Sequence, residues 1–193
     1  MVGERQDLEA FLNYNGQDEI DFNKYKPYPQ IYNDLDERSK KWNEAFDKFW
    51  QRPAKKRRFE ALRHQEMTEF LFPYGLPMYD TKRKEPRYRY AMDGFNLGGY
   101  DWCFSNWGTK WNIGDEVEFE DHGDELYFNF LSAWSPPCEI ILEMSNKFPI
   151  LKFKMKYYEA GMGFKGTYKV EGGVVVKDVS SNYNGIEEDK KVI

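Results

Sequence analysis

The sequence has few of the residues that usually carry metal-binding or nucleophilic chemistry. Its 193 residues include two histidines, His64 and His122. The two cysteines, Cys103 and Cys138, lie far apart and show no CxxC spacing. No Cys/His cluster therefore offers a ligand set for structural zinc, and a catalytic nucleophile would have few candidate bases. We expect a protein that is not an enzyme, that needs no cofactor and that works in a reducing compartment.

Long apolar runs and a basic leader are also missing. The segments 97–107 and 140–151 are too short or too polar to cross a bilayer. Met1 is followed by acidic residues, whereas an export signal has a basic start and an apolar run. We therefore expect no membrane association and a cytoplasmic location.

What the sequence does contain is aromatic residues and unevenly placed charge. Aromatic residues make up 18% of the chain, so we expect a ring-rich core. A net charge of −5 argues against a surface that binds nucleic acid everywhere, although a local patch stays possible. The segment 52–58, "RPAKKRR", is basic, 116–125, "EVEFEDHGDE", is acidic, and lysines alternate along 152–156.

Helical patterns dominate the first part of the chain. Apolar spacing predicts a short helix over Glu4–Asn13 and a longer one over about Asp34–Trp50, which Pro53 ends. A further helix is predicted over about Ala54–Phe72, with the basic "KKRR" stretch at its start. Basic residues at that end oppose the helix dipole, so we consider both a solvated helix start and a binding role.

The later part alternates apolar and polar residues, as half-buried strands do. "DEVEFE" and "LYFNFLSAW" are joined by the turn "DHGD" into a predicted hairpin, and "ILKFKMKYY" follows as a third strand. Between them we predict a helix that Ser135 caps, that Pro136 begins and that Pro149 ends. With the first helix, this order predicts an α+β fold of the ferredoxin-like, split βαβ kind, with helices on one face of the sheet.

Four motifs resemble a known family in their order and spacing: "IDFNKYKPYP", "NWGTKWN", "FLSAWSPP" and "FPILKFKMKYYEAGMGFKG". They resemble phage and plasmid proteins with a YubB-type ferredoxin-like domain. The resemblance implies a mobile-element origin, a host-cell location, a ferredoxin-like sheet and no established catalytic residues. We divide the chain into the start of the ferredoxin-like domain (1–33), a helical insertion (34–80), the remainder of the domain (81–176) and a flexible tail (177–193).

One feature departs from the family pattern. Relatives usually begin with an apolar strand before the glycine that corresponds to Gly3, whereas this sequence begins "MVG". An empty central strand position would leave backbone groups unpaired. We expect either that Val174–Val176 takes that position or that the sheet is shorter.

The densest group of aromatic and basic residues precedes and includes "NWGTKWN". Arginine forks hold phosphate and aromatic rings stack on bases, which together would suit a nucleotide. The alternatives are a core role for the tryptophans and a solvated strand for the arginines. Of the two tryptophans in the motif, we expect Trp107 to be exposed beside Gly108 and Trp111 to be buried. The candidate ligand-binding residues are Arg83, Arg87, Tyr88, Arg89, Tyr90, Trp107, Thr109, Lys110 and Trp111.

Two further surfaces are candidates for binding. Lys152, Lys154 and Lys156 would share one sheet face, where they could bind RNA or block the pairing of an edge strand. The acidic hairpin could mimic nucleic-acid charge or be an ordinary solvated turn. We expect a non-enzymatic phage counter-defence protein that sequesters a small phosphate-bearing ligand, such as a nucleotide immune signal. The alternative is an inhibitor that binds a host defence protein through an acidic or aromatic surface; a homo-oligomer is possible in either case.

Overall fold

The computed structural model describes residues 1–17, 19–50, 78–80, 85–87, 93–114 and 117–183. The chain forms two compact units, Met1–Pro27 with Asp101–Ile193 and, separately, Tyr28–Tyr100. The predicted helix over Ala54–Phe72 and its basic start lie outside the described residues. The four α-helices of the described part are α1 (Arg5–Asn15), α2 (Gln30–Trp50), α3 (Tyr100–Trp107) and α4 (Cys138–Lys147). The strands are β1 (Met78–Asp80), β2 (Glu85–Arg87), β3 (Val117–Asp121), β4 (Leu126–Phe130), β5 (Lys152–Glu159), β6 (Phe164–Glu171) and β7 (Val174–Asn182).

The unit Tyr28–Tyr100 contains α2, the antiparallel pair β1–β2 and a short π-helix, Phe95–Gly99. The predicted helix over Asp34–Trp50 is confirmed, although it begins at Gln30, directly after Pro29. The π-helix packs on the start of α2, where a Cβ on Gly94 would lie 2.0 Å from the Tyr32 carbonyl oxygen. Asp36 also accepts a hydrogen bond from the Phe95 amide.

The other unit has the predicted ferredoxin-like arrangement. Its elements follow the order β-α-β-β-α-β, in which α1, the hairpin β3–β4, α4 and β5 are the last five members. Val2 lies at the position of the first member, where it bridges Glu125 on one side and Lys152 on the other, antiparallel to both. The Val2 amide donates to the Lys152 carbonyl at 3.0 Å, and the Lys152 amide donates back at 2.9 Å. Val2 therefore joins the hairpin to β5.

The expectation that Val174–Val176 fills the first strand position is wrong. These valines begin β7, which pairs with β6 on the outer side of the sheet. The central position needs backbone partners on both sides. Val2 occupies it, because this residue bridges Glu125 on one side and Lys152 on the other. The strand β7 continues to Asn182, so the predicted tail from 177 begins inside the sheet.

The strand β6 was not predicted, and the reason is local. Its inward positions read Phe164, Gly166, Tyr168 and Val170, so a glycine interrupts the apolar alternation. The Tyr157 ring covers that gap, because a Cβ on Gly166 would lie 2.2 Å from the Tyr157 hydroxyl. An aromatic side chain from the neighbouring strand thus completes the pattern that the sequence of β6 lacks.

The core lies on one face of this sheet. Phe11 of α1 meets Phe128, Phe148 and Phe153 edge to face, with ring centroids 5.3–6.1 Å apart. Ile140 and Met144 of α4 are fully buried on the same side as Val170. The predicted hairpin, the first helix and the helices on one face are therefore observed.

Candidate functional site

The motif "NWGTKWN" begins as part of the core. Trp107, the last residue of α3, is 3% exposed, and its indole N–H donates to the Lys26 carbonyl at 2.8 Å. Its ring lies edge to face with Trp102 at 5.3 Å between centroids and 5.9 Å from Phe22. Trp107 therefore joins α3 to the segment around the 3-10 helix Phe22–Lys24.

The same motif ends at the surface. Trp111 is 51% exposed, so the expectation that Trp107 is exposed and Trp111 buried is wrong. The cause is Gly108, which ends α3 with a left-handed φ of +79° and turns the chain away from the helix axis. Trp107, the last residue of α3, therefore stays buried, whereas Trp111, which follows the turn, lies at the surface.

Gly108 is needed for close packing against the start of α4. A Cβ at this position would lie 2.1 Å from Glu139 Oε2 and 3.0 Å from the Cys138 amide nitrogen. The backbone of Gly108 therefore approaches the first turn of α4, where no side chain would fit.

Three hydrogen bonds tie the turn after α3 to the loop 131–137, and one of them runs from the Ser132 hydroxyl to the Thr109 hydroxyl at 3.0 Å. Thr109 is 1% exposed, and its hydroxyl donates to the Ala133 carbonyl at 2.9 Å. Ser135 donates from its hydroxyl to the Gly108 carbonyl at 2.5 Å. Ser135 thus holds this loop and does not cap α4, which begins at Cys138 with Pro137 at its N-cap. The buried Thr109 hydroxyl likewise positions the loop.

The hydrogen bonds at Ala133 and Ser135 flank Trp134. Its φ of +68° is left-handed, a conformation that costs a non-glycine residue roughly 1–2 kcal/mol. The hydrogen bonds of Ala133 and Ser135, the residues on either side, hold Trp134 in this conformation. With 67% of its surface exposed, Trp134 presents a large apolar ring to solvent from a fixed backbone.

Lys110 connects the two exposed indoles. Its ammonium lies 4.5 Å from the centroid of the Trp111 ring and 4.2 Å from that of Trp134. Each contact is within cation–π range. We call Lys110, Trp111 and Trp134 the indole site. It combines two accessible ring faces with one cation, the chemistry that a planar anionic ligand would recognise.

Asn112 fixes the other end of the motif. Its side-chain oxygen accepts hydrogen bonds from the Phe22 and Ile113 amides, both at 2.9 Å. Its amide group donates to Asp21 Oδ1 at 2.6 Å. The motif is thus anchored before and after Lys110 and Trp111, which limits how far the exposed pair can move.

The arginine-rich part of the predicted site stays a prediction. Arg83, Tyr88, Arg89 and Tyr90 lie outside the described residues. Arg87 ends β2 in the unit Tyr28–Tyr100, where its backbone alone is described. The structure instead adds Trp134, which sequence reasoning did not include. The signal for it was its place in the tryptophan-rich part of the chain, in the motif "FLSAWSPP".

The described residues offer little reactive chemistry near the indole site. Burial raises the pKa of the Cys138 thiol to about 12, so this thiol is protonated at neutral pH. Cys103 is buried in α3. Within the described ranges, no group of three or more His, Cys, Asp or Glu side chains could hold a metal ion.

In the part of the chain that the structure describes, none of the helices is long and apolar enough to cross a membrane.

The fold and the site define this protein as an α+β protein whose ferredoxin-like unit carries an exposed aromatic and cationic cluster. Residues 106–192 match the family model for the ferredoxin-like domain in Api92-like protein, a match that begins at "NWGTKWN". Among solved structures, the chain is similar to the crystal structure of protein Api92 from Yersinia pseudotuberculosis. That likeness has 17% identity and a TM-score of 0.39, covering 72% of this chain and 51% of the other. The chain thus spans about half the length of that relative. No curated protein matches it.

Proposed function

We propose that this protein is a non-enzymatic binding protein that sequesters a small phosphate-bearing ligand with a planar base, such as a nucleotide. The observation that carries the proposal is the placement of Lys110 between two exposed indoles. Stacking of a base on an aromatic side chain contributes roughly 1–3 kcal/mol and tolerates different bases. An ammonium next to the stacked base would pair with its phosphate.

Binding would exchange one set of contacts for another. A base that enters the indole site displaces the Lys110 ammonium from the ring faces, which costs about 0.5–1 kcal/mol for each exposed cation–π contact. The displaced ammonium gains a charged phosphate partner, and the rings gain a larger planar partner. The anchored backbone on both sides of the indoles lowers the ordering cost of this exchange.

In biological terms, we propose a phage or plasmid origin, of the YubB type, and a counter-defence role in the cytoplasm of a host cell. Removal of a nucleotide immune signal needs binding without turnover, which fits a site built from indoles and one lysine. Arg83, Arg87, Tyr88, Arg89 and Tyr90 stay proposed contributors to phosphate and base binding.

Calorimetric titration with a panel of linear and cyclic nucleotides tests the proposal. We expect at least one ligand to bind well below a Kd of about 1 mM, which corresponds to roughly −4 kcal/mol. Trp111→Ala and Trp134→Ala should each weaken that binding about five- to 150-fold, the equivalent of one lost stacking contact. Phe104→Ala, which removes another exposed ring, is the matched control and should leave binding unchanged.

Two titration results would contradict the proposal. If every nucleotide binds more weakly than about 1 mM, the site does not sequester nucleotides. If Phe104→Ala weakens binding as much as Trp111→Ala does, the ligand lies elsewhere. Chromatography of nucleotides after incubation with the protein and magnesium or manganese checks turnover, and any product would contradict a non-enzymatic role.

A second candidate function is inhibition of a host defence protein. The acidic hairpin favours it, because Glu118, Glu120 and Tyr127 are exposed on one face of β3–β4. Capture from infected host lysate separates the two functions. A stoichiometric protein partner supports inhibition by contact, whereas a nucleotide released by heat supports sequestration.

A further inference from the structure

In the strands β5, β6 and β7, the face of the sheet opposite the helices is rich in lysine. The pairing register places its residues in four rows: Lys152–Glu171–Val174, Lys154–Lys169–Lys177, Lys156–Thr167–Val179 and Tyr158–Lys165–Ser181. Six of these twelve residues are lysines and one is a carboxylate, in a protein with a net charge of −5. We call Lys152, Lys154, Lys156, Lys165, Lys169 and Lys177 the lysine face.

One row places like charges directly opposite each other. Lys154 pairs with Lys169 and Lys169 pairs with Lys177, so three ammonium groups cross three neighbouring strands. Like charges at directly opposed positions destabilise a sheet. A merely solvated face would gain stability by exchanging one of them for a carboxylate, as happens in the row where Lys152 lies 3.6 Å from Glu171. None of Lys154, Lys169 and Lys177 has such a partner among the described residues.

Protection of a sheet edge does not explain the central lysine of this row. Lys169 lies on β6, which pairs with β5 on one side and with β7 on the other, so it is not on an edge strand. Lys177 lies on the outer strand β7, and Lys154 lies on β5, which Val2 bridges at Lys152. A role in blocking the pairing of another strand therefore leaves Lys169 unexplained.

Aromatic rings lie at the end of the same face. Tyr158 is 61% exposed and shares the face with Lys154 and Lys156. Its ring is stacked on that of Tyr183, with centroids 5.4 Å apart and planes 27° from parallel. A ring pair beside a row of cations is the combination on which single-stranded nucleic acids bind, since the cations follow the backbone and a ring accepts a base.

We propose that the lysine face is a binding surface for the phosphate backbone of single-stranded nucleic acid, with Tyr158 and Tyr183 as its stacking platform. This surface is distinct from the indole site and takes a polymer, whereas the indole site takes a small ligand. Same-face side chains repeat about every 6.6–6.8 Å along a strand, and neighbouring strands lie about 4.8 Å apart. The lysines thus form a two-dimensional field that several successive phosphates can contact.

Fluorescence anisotropy with a labelled single strand of RNA about 15 nucleotides long tests this inference. We expect binding whose association constant falls steeply between about 50 and 200 mM salt, because counterions leave the strand when lysines contact phosphates. The triple variant Lys154→Gln, Lys169→Gln, Lys177→Gln should bind on the order of 10–100-fold more weakly near 0.1 M salt. Its slope of log K against log salt should be shallower by about 2, roughly 0.7 for each lost lysine contact.

A matched control variant tests whether RNA binding depends on the lysine face or on net charge alone. Lys40→Gln, Lys41→Gln, Lys48→Gln removes three exposed lysines from α2, and should leave RNA affinity nearly unchanged. Tyr158→Ala should weaken binding about five- to 150-fold, whereas Tyr158→Phe, which keeps the ring, should bind like the parent protein.

Three results would overturn the inference. One is the absence of RNA binding by the parent protein at about 50 mM salt. Another is equal loss of affinity in the two triple variants, which would show a response to net charge alone. The third is binding to vesicles that contain anionic lipid together with failure to bind RNA, which would assign the face to a membrane surface.

Discussion

The indole site and the lysine face are two exposed surfaces of one unit that are held in different ways. The indole site lies on irregular backbone, and its geometry depends on particular buried groups, among them Trp107, Thr109 and Gly108. The lysine face lies on regular strands, so the backbone ladder places each lysine without help from any one side chain. A site on loops is therefore sensitive to single substitutions in its supports, whereas a site on a sheet responds to the sum of its charges.

The chemistry of the two surfaces differs in the same way. One cation and two rings suit a single small ligand, for which contact area matters more than salt. Six lysines over three strands suit a polymer whose binding is governed by counterion release. Substitutions that affect one surface and spare the other test whether the two surfaces are independent.

The largest effect is expected from Trp107→Ala. This change removes a buried indole and its hydrogen bond to Lys26, and should lower the free energy of unfolding by about 3–5 kcal/mol. Trp111→Ala should change it by no more than about 0.5 kcal/mol, because that ring is half exposed. Denaturant unfolding measures both. Equal destabilisation by the two variants would contradict the assignment of one indole to the core and the other to the site.

Gly108→Ala should have the next largest effect. The left-handed φ and the contact with the start of α4 predict a loss on the order of 1–3 kcal/mol. The hydrogen bonds to the loop 131–137 should also loosen, so nucleotide affinity should fall while RNA affinity stays constant. Unfolding curves and both titrations give the readout. A variant with unchanged stability would show that neither the left-handed φ nor the contact with α4 constrains the turn after α3.

Trp134→Gly should separate stability from binding at the indole site. Glycine adopts a φ of +68° without strain, whereas alanine does not, so Trp134→Gly should be more stable than Trp134→Ala by about 1 kcal/mol. Both variants should lose nucleotide binding, because both lack the ring. Thermal melts of the two proteins compare the strain directly, and an alanine variant as stable as the glycine variant would argue against a strained loop.

The smallest stability effect belongs to the lysine face and has the opposite sign. Replacement of Lys154, Lys169 and Lys177 by glutamine removes two directly opposed like-charge pairs. Stability should therefore stay constant or rise by about 0.2–1 kcal/mol for each pair, while RNA affinity falls. Unfolding at low salt is the appropriate measurement. A clear loss of stability would mean that these lysines support the fold and were not retained for binding.

Sequence reasoning predicted the regular parts of this unit and missed the shortest ones. The hairpin β3–β4 and the helices α1 and α2 have clear periods, and their positions were predicted within a few residues. Val2 occupies the first strand position as one bridged residue, too short to show any period. The strand β6 was missed because Gly166 breaks its alternation and a ring from the next strand compensates.

The exposed surface of the motif "NWGTKWN" was predicted only in part. Aromatic and cationic surface was expected there, but the exposed indole is Trp111, whereas Trp107 was expected to be exposed. Which indole is buried depends on the turn at Gly108 and on the acceptor at Lys26, which is remote in sequence. The ladder across β5, β6 and β7 could not be predicted without β6, although the shared face of Lys152, Lys154 and Lys156 was. Pairing register is a long-range property that local patterns do not contain.

A crossed titration tests the central claim, that the exposed indoles bind a nucleotide at a site separate from the lysine face. The double variant Trp111→Ala, Trp134→Ala and the triple lysine variant are each titrated with the nucleotide that binds the parent protein and with the single-stranded RNA. We predict that the first variant loses nucleotide binding and keeps RNA binding, and that the second shows the reverse. Loss of both ligands in either variant, or unchanged nucleotide binding without the two indoles, would contradict the account.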